Sequence, residues 1–422
     1  MEFTAPSQTP YTRAVRRTII FGAGASAPFY EPELLTPRLS EHLRRTDMWE
    51  AILDRYNALD RGSRIDVDDV LSLILRIAAV NPRMNFEDFI GLLDKICGYN
   101  LGYGAQRPAL HDLLHYYNAK PTLSATSWAD VPFLARHLLT EHLIGAKRSA
   151  AYDSLLAHQT KLLRGLADAG ELNIYSLNYD EPVPNSTDTL PFITGFETGN
   201  FDPASFFSAS NVVAYPHGHA RFRLTAKGMH YDSDVMRATC DRFDLLLSAT
   251  MDEPVTTVPH AFAPDFDTFI TTGRTKEHSF DHNPFAAYYQ RLAIDLPRSD
   301  ELFIIGYSFG DPHINRFLTN YLLDPRHRVM LITLHKSPID LLERFKGQEP
   351  PAATLRALGF DRIALDPAND GRAKHQGDVD HLNIDEYGTL ERAIAMDKRG
   401  YGTFLHDQEP ALAALANVRM TP

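Results

Sequence analysis

Arg17-Thr18-Ile19-Ile20-Phe21-Gly22-Ala23-Gly24-Ala25-Ser26 decides how this chain is read. An apolar and β-branched run passes straight into a glycine turn, and a helical pattern resumes near Thr36 with Leu39 and Leu43 on one face. Strand, glycine turn and helix together open a nucleotide-binding α/β unit. The strand does not alternate, as expected of a parallel sheet covered on both faces. The runs Leu172–Leu177, Val212–Tyr215, Phe266–Thr271, Leu302–Ile305 and Val329–Leu334 share that character, and Pro284–Ile294 and Pro312–Leu322 have crossover-helix lengths.

Between the first two strands the pattern turns helical. Trp49, Ile52, Leu53 and Tyr56 fall at i, i+3, i+4 and i+7, as do Val67, Val70, Leu71 and Ile74, and again Phe86, Phe89, Ile90 and Leu93. Asn85 is a good N-cap for the third set, and a glycine-containing loop follows from Gly98 to Gly104. The expected fold class is therefore α/β: a Rossmann-like parallel sheet flanked by helices, with an all-helical insertion. Residues 1–44 and 166–335 form the nucleotide-binding domain and 45–165 the insertion. Residues 336–422 form a C-terminal extension in which only Pro338–Phe345 has a helical pattern.

Composition narrows the function. Net charge is −12 and no long basic run occurs, so a DNA- or RNA-binding face is not expected. Cys97 and Cys240 are far apart and lack CxxC partners, which removes a disulfide framework and a four-cysteine zinc site and favours a reducing cytoplasm. No stretch of about 18 apolar residues is present, so no membrane span is expected. Arg16-Arg17 followed by an apolar run and Ala25-Ser26-Ala27 imitates an export signal. That run is shorter than a normal signal core, and cleavage there would delete the glycine turn. Asn185-Ser186-Thr187 is a formal glycosylation sequon without meaning in a cytosolic protein.

Four loops carry the chemistry. Gly22, Ala23, Gly24, Ala25 and Ser26 let backbone N–H groups approach a pyrophosphate, and the Ser26 hydroxyl can add a donor. Asn178 and Asp180, after the second strand, suit a ribose: the amide holds a hydroxyl or a water, and the carboxylate stabilises positive charge at an anomeric carbon. His217, followed by Gly218, is a proton carrier near neutrality, with His219 as its decoy. Gly306, Ser308 and Asp311 repeat the small-residue turn ahead of a crossover helix, and there Ser308 is the expected donor to phosphate or ribose while Tyr307 and Phe309 pack. A tight turn, turn-forming Asn and Asp, and a structural histidine are the bland readings of these loops taken singly. A metal site from His217, His219 and His230 lacks a convincing ligand set.

In this order the loops resemble the sirtuin-like (silent information regulator) superfamily, and more narrowly the NAD-consuming effector domains of bacterial anti-phage defence systems. The likeness covers residues 17–26, 174–180, 212–218 and 302–315, and Asn85-Phe86-Glu87-Asp88 is similar to a helical motif common in those effectors. It implies that the first loop holds NAD phosphates and that Asn178 and His217 are the catalytic pair. It also implies that Asp180 stands beside the nicotinamide ribose and that Gly306–Ser308 contact the adenosine half. The expected activity is NAD+ glycohydrolysis in abortive infection, with NAD+ as substrate. A homo-oligomer is expected, with a separate HerA/FtsK-type ATPase or an Argonaute-like protein as partner, since the chain has no GxxxxGK[ST] motif.

Two departures from that pattern matter. Deacylating sirtuins carry a four-cysteine zinc module after the histidine, whereas residues 223–262 hold only Cys240, so no zinc and no lysine deacylation are expected. The first loop continues as Ala27-Pro28-Phe29-Tyr30, leaving Arg38 of Pro37-Arg38 as the expected cation near phosphate. The rivals are a non-catalytic NAD+ or ADP-ribose sensor, and a zinc-less deacylase or ADP-ribosyltransferase.

Overall fold

The computed structural model describes residues 14–32, 35–58, 65–82, 84–98, 131–225, 228–231, 283–321, 328–332, 379–383, 393–397, 400–409 and 412. The strand expected at Phe266–Thr271, the helix at Pro338–Phe345, Cys240 and the loop after Gly98 lie outside them.

Nine strands are described: β1 (Val15–Phe21), β2 (Gly170–Ser176), β3 (Val212–Ala214), β4 (Phe222–Thr225), β5 (Gly228–Tyr231), β6 (Glu301–Ile305), β7 (Arg328–Ile332), β8 (Val379–Asn383) and β9 (Ala393–Asp397). Seven of them form one sheet in the order β3-β2-β1-β6-β7-β9-β8, and β4 pairs with β5 in a separate hairpin. Every neighbour in the large sheet is parallel except the edge pair of β8 and β9. The order reverses between β1 and β6, so this is a Rossmann-like α/β fold with its topological switch at that junction. The apolar runs behave as read: Ile19, Ile20, Phe21, Ile304 and Ile305 are fully buried. Strands β8 and β9, for which the sequence offered no pattern, widen the sheet beyond β7.

The helices are α1 (Ala23–Ser26), α2 (Thr36–His42), α3 (Thr46–Asn57), α4 (Val67–Val80), α5 (Phe86–Gly98), α6 (Val131–Ile144), α7 (Tyr152–Asp168), α8 (Pro182–Thr187), α9 (Pro203–Ser208), α10 (Phe285–Arg298), α11 (Pro312–Tyr321) and α12 (Tyr401–His406). Helices α3 to α6 contact one another in the insertion, α2 packs against α5 and α6, and the crossover α7 packs on β2. In α3 the expected face is the buried one. In α4 it is rotated: Val70, Leu73, Ile74 and Ile77 are buried while Val67 and Leu71 stand at the edge, because a 3.6-residue period fits either choice over two turns. The Asp66 and Asn85 side chains accept from the amides of Asp69 and Asp88, which starts α4 and α5 at those residues. Helix α5 is tied to α6 by a part-buried bidentate ion pair, with Arg136 donating to Asp94 at 2.8 and 2.7 Å. Helix α12 returns to the core, where the Tyr401 ring packs edge-on against Phe21 and its hydroxyl donates to Gln159 of α7 at 3.0 Å. No helix among the described residues is long and apolar enough to cross a membrane.

Candidate functional site

Parallel pairing brings the four loops together. Phe21 is level with Ser176 and with Ile305, and Tyr175 is level with Ala214, so residues 22–26, 177–181, 215–219 and 306–311 leave the sheet along one carboxyl edge. They border one cleft of about 710 Å³. From the loops it is lined by Gly22, Ala23, Ser26, Asn178, Asp180, His217, Tyr307, Ser308 and Asp311, and beyond them by Thr36, Ser40 and Arg44 of the segment after the first loop and by Glu87 of the insertion, among others.

Gly24 and Gly306 form the seam beneath the cleft rather than its lining. The Gly22 and Gly24 amides donate to Ile305 O and Gly306 O, both at 2.9 Å. These two donors, assigned to phosphate from the sequence, are thus occupied in holding the loops together. Gly306 has φ +62°, and a side chain there would stand 2.1 Å from the Ala25 backbone nitrogen. Gly218, read as space beside the imidazole, has φ +86°, so backbone conformation is its reason.

A buried hydrogen-bond chain organises the Asn-Asp loop. Asn178 Nδ2 donates to Gly22 O at 2.9 Å and to Ser26 Oγ at 2.8 Å, and Ser26 Oγ donates to Asp180 Oδ1 at 2.9 Å. Since both partners of Nδ2 act as acceptors, the amide orientation is unambiguous. Asn178 presents Oδ1, an acceptor, to the cleft. The Ser26 proton, expected on a phosphate oxygen, goes to Asp180 instead, because a hydroxyl has one proton to give.

Asp180 Oδ2 is enclosed and has no hydrogen-bond partner. Burial pushes the Asp180 carboxyl up from 3.8 to about 7, against the lowering effect of the Ser26 bond and with a contribution from Glu181. Because the folded state keeps this proton to higher pH than the unfolded chain does, stability falls as pH rises through the window from 3.8 to about 7. The loss is on the order of 4 kcal/mol. Asp180→Asn, which retains the Ser26 bond, is expected to flatten that slope. Urea unfolding should find the variant more stable than wild type at about pH 8 but not at about pH 5. The reverse ranking would contradict a buried, high-pKa carboxyl.

His217 Nε2 is enclosed 2.9 Å from Asp311 Oδ2. The distance suits an ion pair, but the angle does not make a hydrogen bond, so Nδ1 is the ring nitrogen that can meet a molecule in the cleft. His219 is structural, as its decoy reading has it. Its Nδ1 accepts from Arg221 N at 3.0 Å, so Nε2 carries the proton and donates to Asp180 O at 2.8 Å. This bond staples the histidine loop to the Asn-Asp loop.

The second small-residue loop is shaped by Phe309, whose φ of +56° is unusual for a residue with a side chain. Its carbonyl is held by Asn315 Nδ2 at 2.7 Å and its ring is fully buried. That turn leaves Ser308 and Gly310 on the cleft. Asp311, assigned to nucleotide binding from the sequence, caps α11 through Oδ1, which accepts from the amides of His313 and Ile314 at 2.7 and 3.1 Å.

Arg38 is not brought into the cleft. It pairs with Glu41 at 3.4 Å and more than half of each side chain is exposed. Among the described residues the cation that lines the cleft is Arg44, which donates to Pro82 O at 2.7 Å and to Met84 O. Arg44 lies beyond the end of α2, past its C-cap Leu43, so helical spacing in the sequence did not single it out. The Asn85-Phe86-Glu87-Asp88 segment also reaches the site: Tyr179 Oη donates to Glu87 at 3.2 Å, and Phe86 packs edge-on against Tyr179. Searched against protein-family models and against curated proteins, the sequence finds no match.

Proposed function

We propose that the protein hydrolyses the N-glycosidic bond of NAD+, releasing nicotinamide and ADP-ribose. One observation carries the reading: an amide oxygen, an imidazole and a carboxylate from three strand ends open on a single dinucleotide-sized cleft. One of those side chains, Asp180, keeps an enclosed oxygen, Oδ2, without a hydrogen-bond partner. Buried polar atoms of that kind are expected to find partners on a ligand.

In the proposed step the C1′–N1 bond breaks with both electrons passing to the nicotinamide nitrogen, which neutralises its ring and leaves positive charge on C1′ and the ring oxygen. The Asp180 carboxylate faces that charge, and the cationic substrate favours its ionised form. Water, accepted by Asn178 Oδ1, adds to C1′, and its surplus proton passes to His217. The balance is NAD+ and water to nicotinamide, ADP-ribose and one proton. The family resemblance extends the proposal to abortive infection by NAD+ depletion in the cytoplasm. It also suggests a homo-oligomer, assembled through the helical insertion and switched on by a HerA/FtsK-type ATPase or an Argonaute-like partner.

Proton NMR of NAD+ incubated with the purified chain, alone and with the product of its genomic neighbour, tests this. Nicotinamide and ADP-ribose should appear in equal amounts. Calorimetric binding of NAD+ with no nicotinamide under either condition would replace the enzyme with a sensor.

A further inference from the structure

We propose that Asp311 is a positioning residue for His217, fixing which imidazole nitrogen carries the proton and coupling the imidazole to the 306–311 loop. The role in turnover rests on the NAD+ reading above; the pairing itself does not.

The carboxylate has two separate tasks. Oδ1 is immobilised by the amides of His313 and Ile314 at the start of α11, which holds the group so that Oδ2 lies 2.9 Å from His217 Nε2. Both residues are buried, at 4% and 7% exposure, so the attraction is weakly screened. The main chain of Asp311 is held in turn, since its amide donates to Tyr307 Oη at 3.3 Å and that hydroxyl donates to Asn315 Oδ1 at 2.8 Å. Tyr307 and Ser308 of the same loop line the cleft. A nucleotide pressing on this loop therefore acts on the carboxylate that faces the imidazole.

The chemistry follows from which nitrogen is enclosed. An anion beside Nε2 favours the tautomer protonated there, leaving the Nδ1 lone pair toward the cleft as a base. Once Nδ1 has taken a proton, the same anion stabilises the imidazolium. The contact is short but poorly aligned, a geometry from which catalytic hydrogen bonds tighten on substrate binding.

Asp311→Asn tests this, because asparagine caps a helix as well as aspartate but presents an uncharged group to Nε2. For NAD+, kcat is expected to fall about 100-fold while KM stays within about 3-fold. In 15N-histidine spectra His217 should lose its preference for the proton on Nε2. Asp311→Ser, which also caps, should give the same kcat loss and guards against a folding defect in the first variant. A raised KM with kcat retained, or an unchanged tautomer, would overturn the assignment. Should the wild type release no nicotinamide, the NAD+ reading fails, and the tautomer measurement still decides the pairing.

Discussion

Asn178→Ala is expected to lower NAD+ hydrolysis by at least about 1,000-fold, with His217→Ala losing a comparable factor. The reason differs at the two positions. Asn178 contributes an acceptor oxygen whose direction is set by two donated bonds, to Gly22 O and Ser26 Oγ, so its truncation removes both the contact and the brace that aims it. Losing those bonds should also cost about 2 kcal/mol of stability. Turnover must therefore be read beside thermal unfolding and circular dichroism to show that the variant is folded. His217 is buried beside Asp311 Oδ2 at 2.9 Å, so the rate of its variant must be read beside unfolding in the same way. If both variants retain more than about a tenth of the wild-type rate, the amide and imidazole are not the reacting pair.

Gly306→Ala carries the largest expected effect on stability, more than about 4 kcal/mol. The added carbon would stand 2.1 Å from Ala25 N and 2.4 Å from Gly24 C, both backbone atoms that cannot rotate away, at a φ of +62° that alanine disfavours. A domain with ordinary stability of about 5 to 15 kcal/mol would lose much of it. Gly165, in α7, is the control: nothing lies within 4 Å of a side chain there, and Gly165→Ala should stabilise by about 0.5 to 1 kcal/mol. Urea titrations of the two variants should move in opposite directions. A Gly306→Ala protein as stable as wild type would mean that the seam between the loops is not closed as described.

The two expectations differ in how far they could be reached from sequence. Asn178 and His217 stand in short loops after apolar runs, and strand ends in a parallel sheet share one edge whatever the helices between them do. Their convergence was legible for that reason. Gly306 was legible as a small residue, but the reason for its size was not. From sequence the glycines looked like clearance for a phosphate; in the structure Gly22, Gly24 and Gly306 are clearance for each other. A close approach between backbones 280 residues apart leaves the same residue type as a close approach to a ligand. Ser26 and Asp311 show the same ambiguity, because the atoms that could meet a nucleotide are engaged with Asp180, α11 and His217.

What the sequence determined by itself was the α/β class, the Rossmann-like sheet, the helical character of the insertion and the common edge of four loops. All of these follow from hydrophobic period and from strand direction, which are local properties. Only the tertiary structure decided that Arg44 rather than Arg38 faces the cleft, that Tyr179 meets Glu87, that β8 and β9 widen the sheet, and that the Asp180 carboxyl sits near neutrality. Each of those depends on which groups are packed around a side chain and how much water they exclude, and no spacing along a chain encodes that.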